Sequence, residues 1–256
     1  VGGDTPDMAN SIMANGNLGV LFRMVHATAS QPVAAKVTGN NIGALFDALG
    51  NITTNLGNAL GGIEAENSSA IEIAGQEPED PVNLVASNGG FGIKAAASTA
   101  ITLARNTVIK NQGPGVHLLQ TTETTVVGNS IGVKVGTQVA NSGNVGPGIL
   151  VEQSPGNTIG GTQPNSYNQI GNHLTSAAIH FLNTHPDLGI TTGGDVQGNL
   201  LGGSGIGGVG IQRALNALGF QIENSSAINV GGTEPSSGNT VVASTGPGIK
   251  IEGDFS

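Results

Sequence analysis

The stretch NLVASNGGFGIKAAASTAITLARNTVIKNQGPGVHLLQTTETTVVGNSI, residues 83–131, decides the fold of this 256-residue chain. It contains the pattern Asn-x-aliphatic three times, beginning at Asn83, Asn106 and Asn129, so each copy starts 23 residues after the one before. A second marker, Gly-x-Gly-aliphatic, begins at Gly90 and again at Gly113, which is the same spacing. Two markers with one period predict a repeat whose structural unit is about 23 residues long.

Outside this stretch the second marker returns at 146–149, 208–211 and 246–249, at longer intervals that predict inserted loops. Between markers, aliphatic and polar residues alternate, as around Lys250, which is the period of a strand with one buried face. One unit is too short to bury its own aliphatic side chains, so units must stack as parallel strands about 4.8 Å apart. The sequence therefore predicts an all-β fold, a right-handed parallel β-helix of about eleven coils of roughly 23 residues, continuous over residues 1–256.

The two markers have different expected roles at the corners of a coil. Glycine adopts positive φ without steric cost, so we expect glycines to form the turns. Asparagine tolerates the same backbone region, and its amide can hydrogen-bond to an asparagine stacked one coil away. The predicted corner glycines are Gly92, Gly115, Gly148 and Gly248, and the predicted asparagine ladder contains Asn83, Asn106 and Asn129.

A longer repeat contains the coil repeat. The string ENSSAI occupies residues 66–71 and again 223–228, an offset of 157, and the match continues with small gaps so that residues 1–98 resemble residues 159–256. This identity predicts an internal duplication with a period of about 157 residues. Since the chain starts and stops inside the unit, neither end looks capped, and we expect each end to meet a further repeat unit or another copy of the chain.

A helical fold is the alternative, and its strongest support is the segments 44–49 and 212–218. In the duplication, the partner of the first segment is the run GSGIG at residues 203–207. Interior glycines cost a helix about 1 kcal/mol each, so the helical interpretation is disfavoured.

Composition excludes several classes of function. Charged residues make up 10% of the chain, and the net charge is -9 with only eight Lys and Arg, so nucleic acid and anionic membranes are disfavoured as partners. No apolar run reaches the roughly 18 residues of a spanning helix, so we expect no membrane insertion. The absence of cysteine excludes disulfides and thiolate metal sites. We expect no cofactor and a neutral polar surface of Asn, Ser, Thr and Gln.

Carboxylates are the first candidates for catalysis, because a polysaccharide hydrolase needs two of them across the scissile bond. The acids Glu72, Glu152 and Glu252 stand alone at outward strand positions. The one dense cluster, at residues 77–80, contains Glu77, Glu79 and Asp80 and lies between prolines, so we interpret it as a solvated loop rather than a carboxylate or Ca²⁺ site.

Basic side chains are the second candidates, because a lyase or epimerase needs a base and a cation beside a uronate carboxylate. The candidate basic residues are Lys94, Arg105, Lys110 and Lys134, which fall near successive coils. They could act together on a substrate only if they shared one face of the solenoid, so we favour their interpretation as isolated solubilising charges. The histidines show no metal-ligand spacing and are interpreted as surface or corner residues. They are His26, His117, His173, His180 and His185. We therefore predict no catalytic residues and no metal site.

The runs GNTIGGTQP at 156–164 and NQIGN at 168–172, together with the GPGI corners, resemble the right-handed parallel β-helix repeats of pectate-lyase-like proteins. The pattern covers most of the chain and is specific for fold. Such repeats occur in polysaccharide lyases, hydrolases and epimerases and also in large bacterial and archaeal surface proteins, so the resemblance implies an extracellular or cell-surface setting and leaves activity open. The segment 184–187, Thr-His-Pro-Asp, is similar to the Asp-Pro-His-Glu signature of alginate epimerases but differs in order.

The functional expectation is an extracellular structural β-solenoid without catalysis, either a surface stalk or adhesin segment or a subunit of a head-to-tail fibre. The alternative is a polysaccharide-acting enzyme or a carbohydrate-binding module on the same fold. Expected partners are further copies or adjacent repeat units, and glycans. Asn51, Asn67 and Asn224 fit the N-glycosylation pattern, although turn chemistry explains them equally well.

Overall fold

The computed structural model describes residues 1–3, 8–46, 52–75, 82–133, 142–185, 194–204, 212–213 and 215–253. These residues form three large sheets in which every strand pairing is parallel, and they contain no α-helix. Each coil contributes one strand to each sheet in turn, and the next coil repeats the order. The predicted right-handed parallel β-helix is therefore confirmed.

The sheet with the longest strands is called the long sheet. Its strands pair in chain order, each coil directly against the next. They are β2 (Leu18–Arg23), β7 (Gly61–Glu66), β10 (Phe91–Ala96), β13 (Val116–Leu119), β16 (Ile149–Glu152), β19 (Ala177–Leu182), β24 (Leu218–Glu223) and β27 (Ile249–Glu252).

The second and third sheets follow the long sheet around each coil. The second sheet contains β3 (Ala35–Val37), β8 (Ile71–Ala74), β11 (Thr102–Ala104), β14 (Thr125–Val127), β17 (Thr158–Gly160), β20 (Gly194–Gln197) and β25 (Ile228–Val230). The third contains β1 (Ser11–Ile12), β4 (Asn41–Ile42), β9 (Leu84–Ala86), β12 (Thr107–Ile109), β15 (Ser130–Ile131), β18 (Gln169–Ile170), β21 (Leu200–Leu201) and β26 (Thr240–Val241).

Two antiparallel hairpins project after the third sheet. They are β5 (Ala44–Phe46) with β6 (Ile52–Asn55), and β22 (Gly203–Ser204) with β23 (Gln212–Arg213). The helical alternative for segments 44–49 and 212–218 is thus wrong where these segments are described. In the first hairpin, Ile52 packs with Ala44 on Leu84, Ala86 and Ile109, which form a small second core on the outer side of the third sheet.

The number of coils differs from the expectation. Over the described residues the long sheet has eight strands, not eleven, because most coils are longer than 23 residues. Matching positions in successive coils are 43, 30, 23, 33, 30, 41 and 29 residues apart. The 23-residue interval is therefore the minimal coil, and the other coils add loops at their corners while their strands stay in register.

The core is a set of columns in which similar residues stack on one another. Ile63, Ile93, Val116 and Ile149 occupy one register position in four consecutive long-sheet strands and are fully buried or nearly so. Burying an aliphatic side chain of this size contributes about 1.5–3 kcal/mol, and each of these side chains lies in register against its counterparts in the neighbouring coils. Packing between coils therefore supplies the stability that one coil lacks.

An asparagine ladder runs along the second corner, between the second and third sheets. Each ladder residue donates its side-chain N–H to the side-chain oxygen of the asparagine in the next coil, at 2.9–3.2 Å. A second N–H of Asn106 reaches the carbonyl of Ile73 at 2.8 Å, so the buried amide is satisfied. The ladder contains Asn10, Asn40, Asn83, Asn106, Asn129, Asn168, Asn199 and Asn239.

A second ladder follows the third corner, between the third sheet and the next long-sheet strand. Side-chain bonds of 2.7–2.9 Å join Asn15, Asn58, Asn88, Asn111 and Asn144. The sequence analysis did not identify this ladder, although several of its residues lie beside the predicted glycine marker. Two of the three corners are therefore fixed by stacked amides.

The four marker glycines are needed for close packing, which corrects the expected role. Gly92, Gly115, Gly148 and Gly248 do not have positive φ. They lie at the start of long-sheet strands, where a Cβ on Gly92 would lie 2.4 Å from Cγ1 of Val108 and one on Gly148 would lie 2.4 Å from Cγ2 of Ile170. Gly248 is looser, since its Cβ would lie 3.6 Å from Val241. The first three glycines therefore let two sheets approach each other.

At the first corner, between the long and second sheets, positive φ is carried mainly by non-glycine residues, whereas glycines such as Gly128 and Gly198 carry it at the second corner. Four first-corner turns have two non-glycine residues with positive φ around a buried hydroxyl, as at Asn67 and Ala70 (φ 46° and 54°) around Ser68, and in a fifth the second residue is Gly156. Ser68 donates to the carbonyl of Glu66 at 2.8 Å and accepts from the N–H of Val25 at 3.1 Å. Equivalent hydroxyls recur at Ser98, Thr121, Ser154, Thr184 and Ser225.

We predict that Asn106→Ala lowers the free energy of unfolding by about 2–4 kcal/mol, because it removes one hydrogen bond from each of three buried partners in two neighbouring coils. Asn10→Ala is the matched control, since Asn10 is an exposed ladder residue, and its cost should stay below about 1 kcal/mol. Urea unfolding measures both. Equal costs would show that the interior ladder bonds do not stabilise the stack.

At the first corner, Ala100→Gly should change stability by less than about 1 kcal/mol, in the stabilising direction, because glycine relieves the strain of φ 53° and offsets its own entropy cost. Ala95→Gly, in the buried face of β10, should destabilise by about 1 kcal/mol or more. Thermal unfolding of the two variants compares them. Similar losses for both would contradict the assigned turn geometry.

Candidate functional site

The outer face of the long sheet, called the long face, brings together ionisable side chains from many coils. Its residues form two columns, because alternate strand positions point outward and the strands are in register. The first column is Leu21, Glu64, Lys94, His117, Leu150, His180, Gln221 and Lys250, and the second is Arg23, Glu66, Ala96, Leu119, Glu152, Leu182, Glu223 and Glu252.

Charged groups on the long face are paired with one another. Lys94 Nζ lies 3.0 Å from Glu64 Oε1 in the neighbouring coil and 5.5 Å from the centroid of the Phe91 ring. Two pairs cross diagonally between the columns: His117 Nε2 to Glu152 Oε2 at 3.0 Å, and His180 Nε2 to Glu223 Oε2 at 3.2 Å. The remaining pairs are Arg23 with Glu66 and Lys250 with Glu252.

The protonation of the long face follows from partial burial. Desolvation lowers the pKa of His117 and of His180 below the usual 6.5, and the hydrogen bond and negative charge of the partner glutamate only partly oppose this effect. Both rings are therefore neutral at neutral pH, and each Nε2–H donates to its glutamate. The hydrogen bond from Lys250 lowers the pKa of Glu252.

The long face has some of the groups that acid–base chemistry requires. Neutral imidazoles beside carboxylates could accept a proton, and Lys94, in register with His117, could attract an anionic substrate. Each of these groups is nevertheless held by a partner on the face. Within the described residues, no three His, Asp or Glu side chains come together in a way that could hold a metal ion.

The basic residues considered in the sequence analysis do not share one face. Lys94 lies on the long sheet, Arg105 follows the strand of the second sheet, and Lys110 follows the strand of the third. They come from one minimal coil and lie on its three different sides. Lys134 lies outside the described residues, as do the acidic residues 77–80 and part of the segment 184–187.

Among the acids expected to stand alone, Glu72 pairs with Lys36 at 3.3 Å on the outer side of the second sheet. Glu152 and Glu252 belong to the long face described above. Of the glycosylation candidates, Asn67 and Asn224 are exposed, with φ of 46° and 43°, at the first corner. Asn51 lies outside the described residues.

His173 was interpreted as a surface or corner residue, but it is a fully buried corner residue that replaces an asparagine in the second ladder. Its backbone N–H donates to Asn216 Oδ1 at 3.1 Å, and its Nδ1 lies 3.1 Å from the carbonyl of Gly146. Its Nε2 has no hydrogen-bond partner, so one ladder bond to Asn144 is missing. Burial lowers the pKa of His173 to about 4.

Comparison with known proteins supports the fold. No family model and no curated protein matches the sequence. Two mutant forms of the periplasmic alginate epimerase AlgG align with TM-scores of 0.51 and 0.50, at 14% and 12% identity, over 95% and 96% of this chain and 49% and 51% of theirs. A tailspike protein from an Escherichia coli bacteriophage aligns with a TM-score of 0.32, at 16% identity, over 95% of this chain and 37% of its own.

The similarity to the alginate epimerase structures and the three parallel sheets define the fold of the chain as a right-handed parallel β-helix. The chain spans about half the length of the alginate epimerase structures. Because the sequence identity is low, the similarity shows a common fold and nothing further. No helix in the described part of the chain has the length and apolar character needed to cross a membrane.

We predict that the protein loses stability as the pH falls from about 6.5 toward 4, because the unfolded state binds a proton at His173 that the folded state excludes. The contribution of this residue should be complete above pH 6.5 and decline by at most about 3 kcal/mol. His173→Asn should remove this part of the pH dependence, whereas His185→Asn, at an exposed histidine, should not. Urea unfolding across this pH range tests it, and an unchanged slope in His173→Asn would contradict it.

Proposed function

We propose that this chain is an extracellular, non-catalytic β-solenoid that acts as a rigid rod, in a surface stalk, an adhesin segment or a fibre. The observation that carries the proposal is the unbroken eight-asparagine ladder, which joins consecutive coils. Seven coil steps of about 4.8 Å give a stack of about 34 Å. Such a stack forms a long and stiff rod although its core contains mainly small aliphatic side chains.

The electrostatics of the long face support a structural role. Two ion pairs, Arg23–Glu66 and Lys94–Glu64, cross from one coil to the next, and so do the hydrogen bonds of the neutral His117 to Glu152 and of the neutral His180 to Glu223. Exposed pairs of this kind contribute little each, about 0–1 kcal/mol, but they fix neighbouring strands in register. Because these side chains already bind one another, they are not available to bind a substrate.

Further coils are the proposed partners of the last described coil. Ile249 and Ile251 are 51% and 61% exposed, although their register partners Phe220 and Ile222 are buried. The next layer on these side chains would be an adjacent repeat unit or another copy of the chain, in a heterologous contact that extends the solenoid.

A polysaccharide-acting enzyme is the second candidate. Two observations favour it: the neutral His117 and His180 beside carboxylates, and the similarity of the fold to an alginate epimerase. The alginate epimerase is periplasmic, which also supports a location outside the cytoplasm for the present chain. In this function His117 would be the base, and Lys94 would attract the uronate carboxylate.

Electron microscopy of the purified protein, combined with incubation on alginate and polygalacturonate, distinguishes the two functions. We expect rods or end-to-end fibres and no cleavage or epimerisation of either polymer by NMR. Turnover that His117→Gln abolishes and the control His185→Gln preserves would overturn the structural proposal and establish the enzyme.

A further inference from the structure

The first corner contains an open groove that lies apart from the long face and crosses four coils. It has polar and apolar parts, and no carboxylate or ammonium group is among the described residues that line it. Its ionisable lining group is His26. Residues of the corner with positive φ form one wall. The residues two positions later form the other, and they are the exposed His26 followed by the half-buried Ser69, Thr99 and Thr122.

The groove exists because one side chain in its wall is short. The successive wall residues are Met24, Asn67, Ala97 and Gln120, and the methyl of Ala97 leaves a gap between two amides. One coil further on, Gln120 donates its amide N–H to Gln153 at 3.0 Å, so two long amide side chains in adjacent coils close the space between them. The short Ala97 leaves that space open in the groove.

Hydroxyl groups line the other side at one per coil. Ser69, Thr99 and Thr122 are linked in register, and the hydroxyls of Thr99 and Thr122 are 3.1 Å apart. Nδ1 of His26 lies 3.1 Å from the hydroxyl of Ser69. The coil spacing of about 4.8 Å therefore gives a regular row of groups that both donate and accept hydrogen bonds.

The same histidine–serine contact occurs at a second place on the rod. Nδ1 of His185 lies 3.0 Å from the hydroxyl of Ser226, at the first corner of two later coils. Asn224, beside it, has the same exposed position and positive φ as Asn67. The histidine–serine contact beside an exposed asparagine is therefore present at two places along the first corner.

We propose that the groove binds an uncharged polysaccharide chain lying along the axis of the solenoid. Sugar hydroxyls require neutral groups that donate and accept hydrogen bonds, which the serine, threonine and amide side chains supply. The apolar faces of sugar rings require apolar contact, which Ala97 and the 70% exposed Met24 supply. The described residues that line the groove include no lysine or arginine to attract an anionic polymer. The inference rests on the proposed adhesin role and names its ligand class.

The test is titration of the full chain with the neutral oligosaccharides cellohexaose, mannohexaose, xylohexaose and chitohexaose, and with hexamers of alginate and polygalacturonate. We expect at least one neutral hexamer to bind, and binding to fall at least ten-fold in Ala97→Gln, which fills the gap, and in the double variant Ser69→Ala, Thr99→Ala. Gln221→Ala, on the long face, should bind as the wild type does. Circular dichroism and thermal unfolding show whether each variant is folded.

Three results would overturn the proposal. They are no binding of any neutral hexamer at millimolar concentration, equal binding by the folded groove variants, or binding of the anionic hexamers in preference. None of them affects the rod itself, because the shape of the particles in electron micrographs is measured separately. Failure of the groove and failure of the proposed structural role are therefore distinguishable.

Discussion

The structure depends on the requirement that a buried amide at a corner find its hydrogen-bond partners in the neighbouring coils. Asn106 illustrates it: one N–H goes to Asn129, another to the carbonyl of Ile73, and the side-chain oxygen accepts from Asn83. A coil displaced along or around the axis would leave these groups unpaired in a dry interior, at about 1–3 kcal/mol each. The ladders therefore fix the register, while the aliphatic columns supply most of the stabilisation.

Much of this fold is predictable from the sequence because the minimal coil is visible in it. The 23-residue spacing of Asn83, Asn106 and Asn129 identifies residues that the structure places one coil apart. The coil number was not predictable, since loops change the interval from 23 to as much as 43 residues. The role of Gly92 was missed for another reason: its requirement comes from Val108 across the interior, and sequence spacing carries no information about such contacts.

The candidate sites show the same limit. His117 and Glu152 are far apart in sequence and face each other only after one strand is placed on the next in register. The sequence does not indicate that these two residues form a pair, because the loop inserted between them makes their separation differ from the 23-residue coil period. The same limit applies to Ala97. Its short side chain opens the groove only because the longer Asn67 and Gln120 occupy the same position in the coils before and after it. The sequence did indicate the uncharged surface, which the groove at the first corner illustrates.

The central claim, a stack with one coil per step, is tested most directly by distances along one column of the second sheet. The chain has no cysteine, so cysteines for spin labels can be placed at Lys36 together with Thr158, Asp195 or Asn229, which lie four, five and six register steps away. Double electron–electron resonance should give distances that rise in equal increments, at about 19, 24 and 29 Å. Distances that fail to rise with each step, as in a closed barrel or sandwich, would contradict the account.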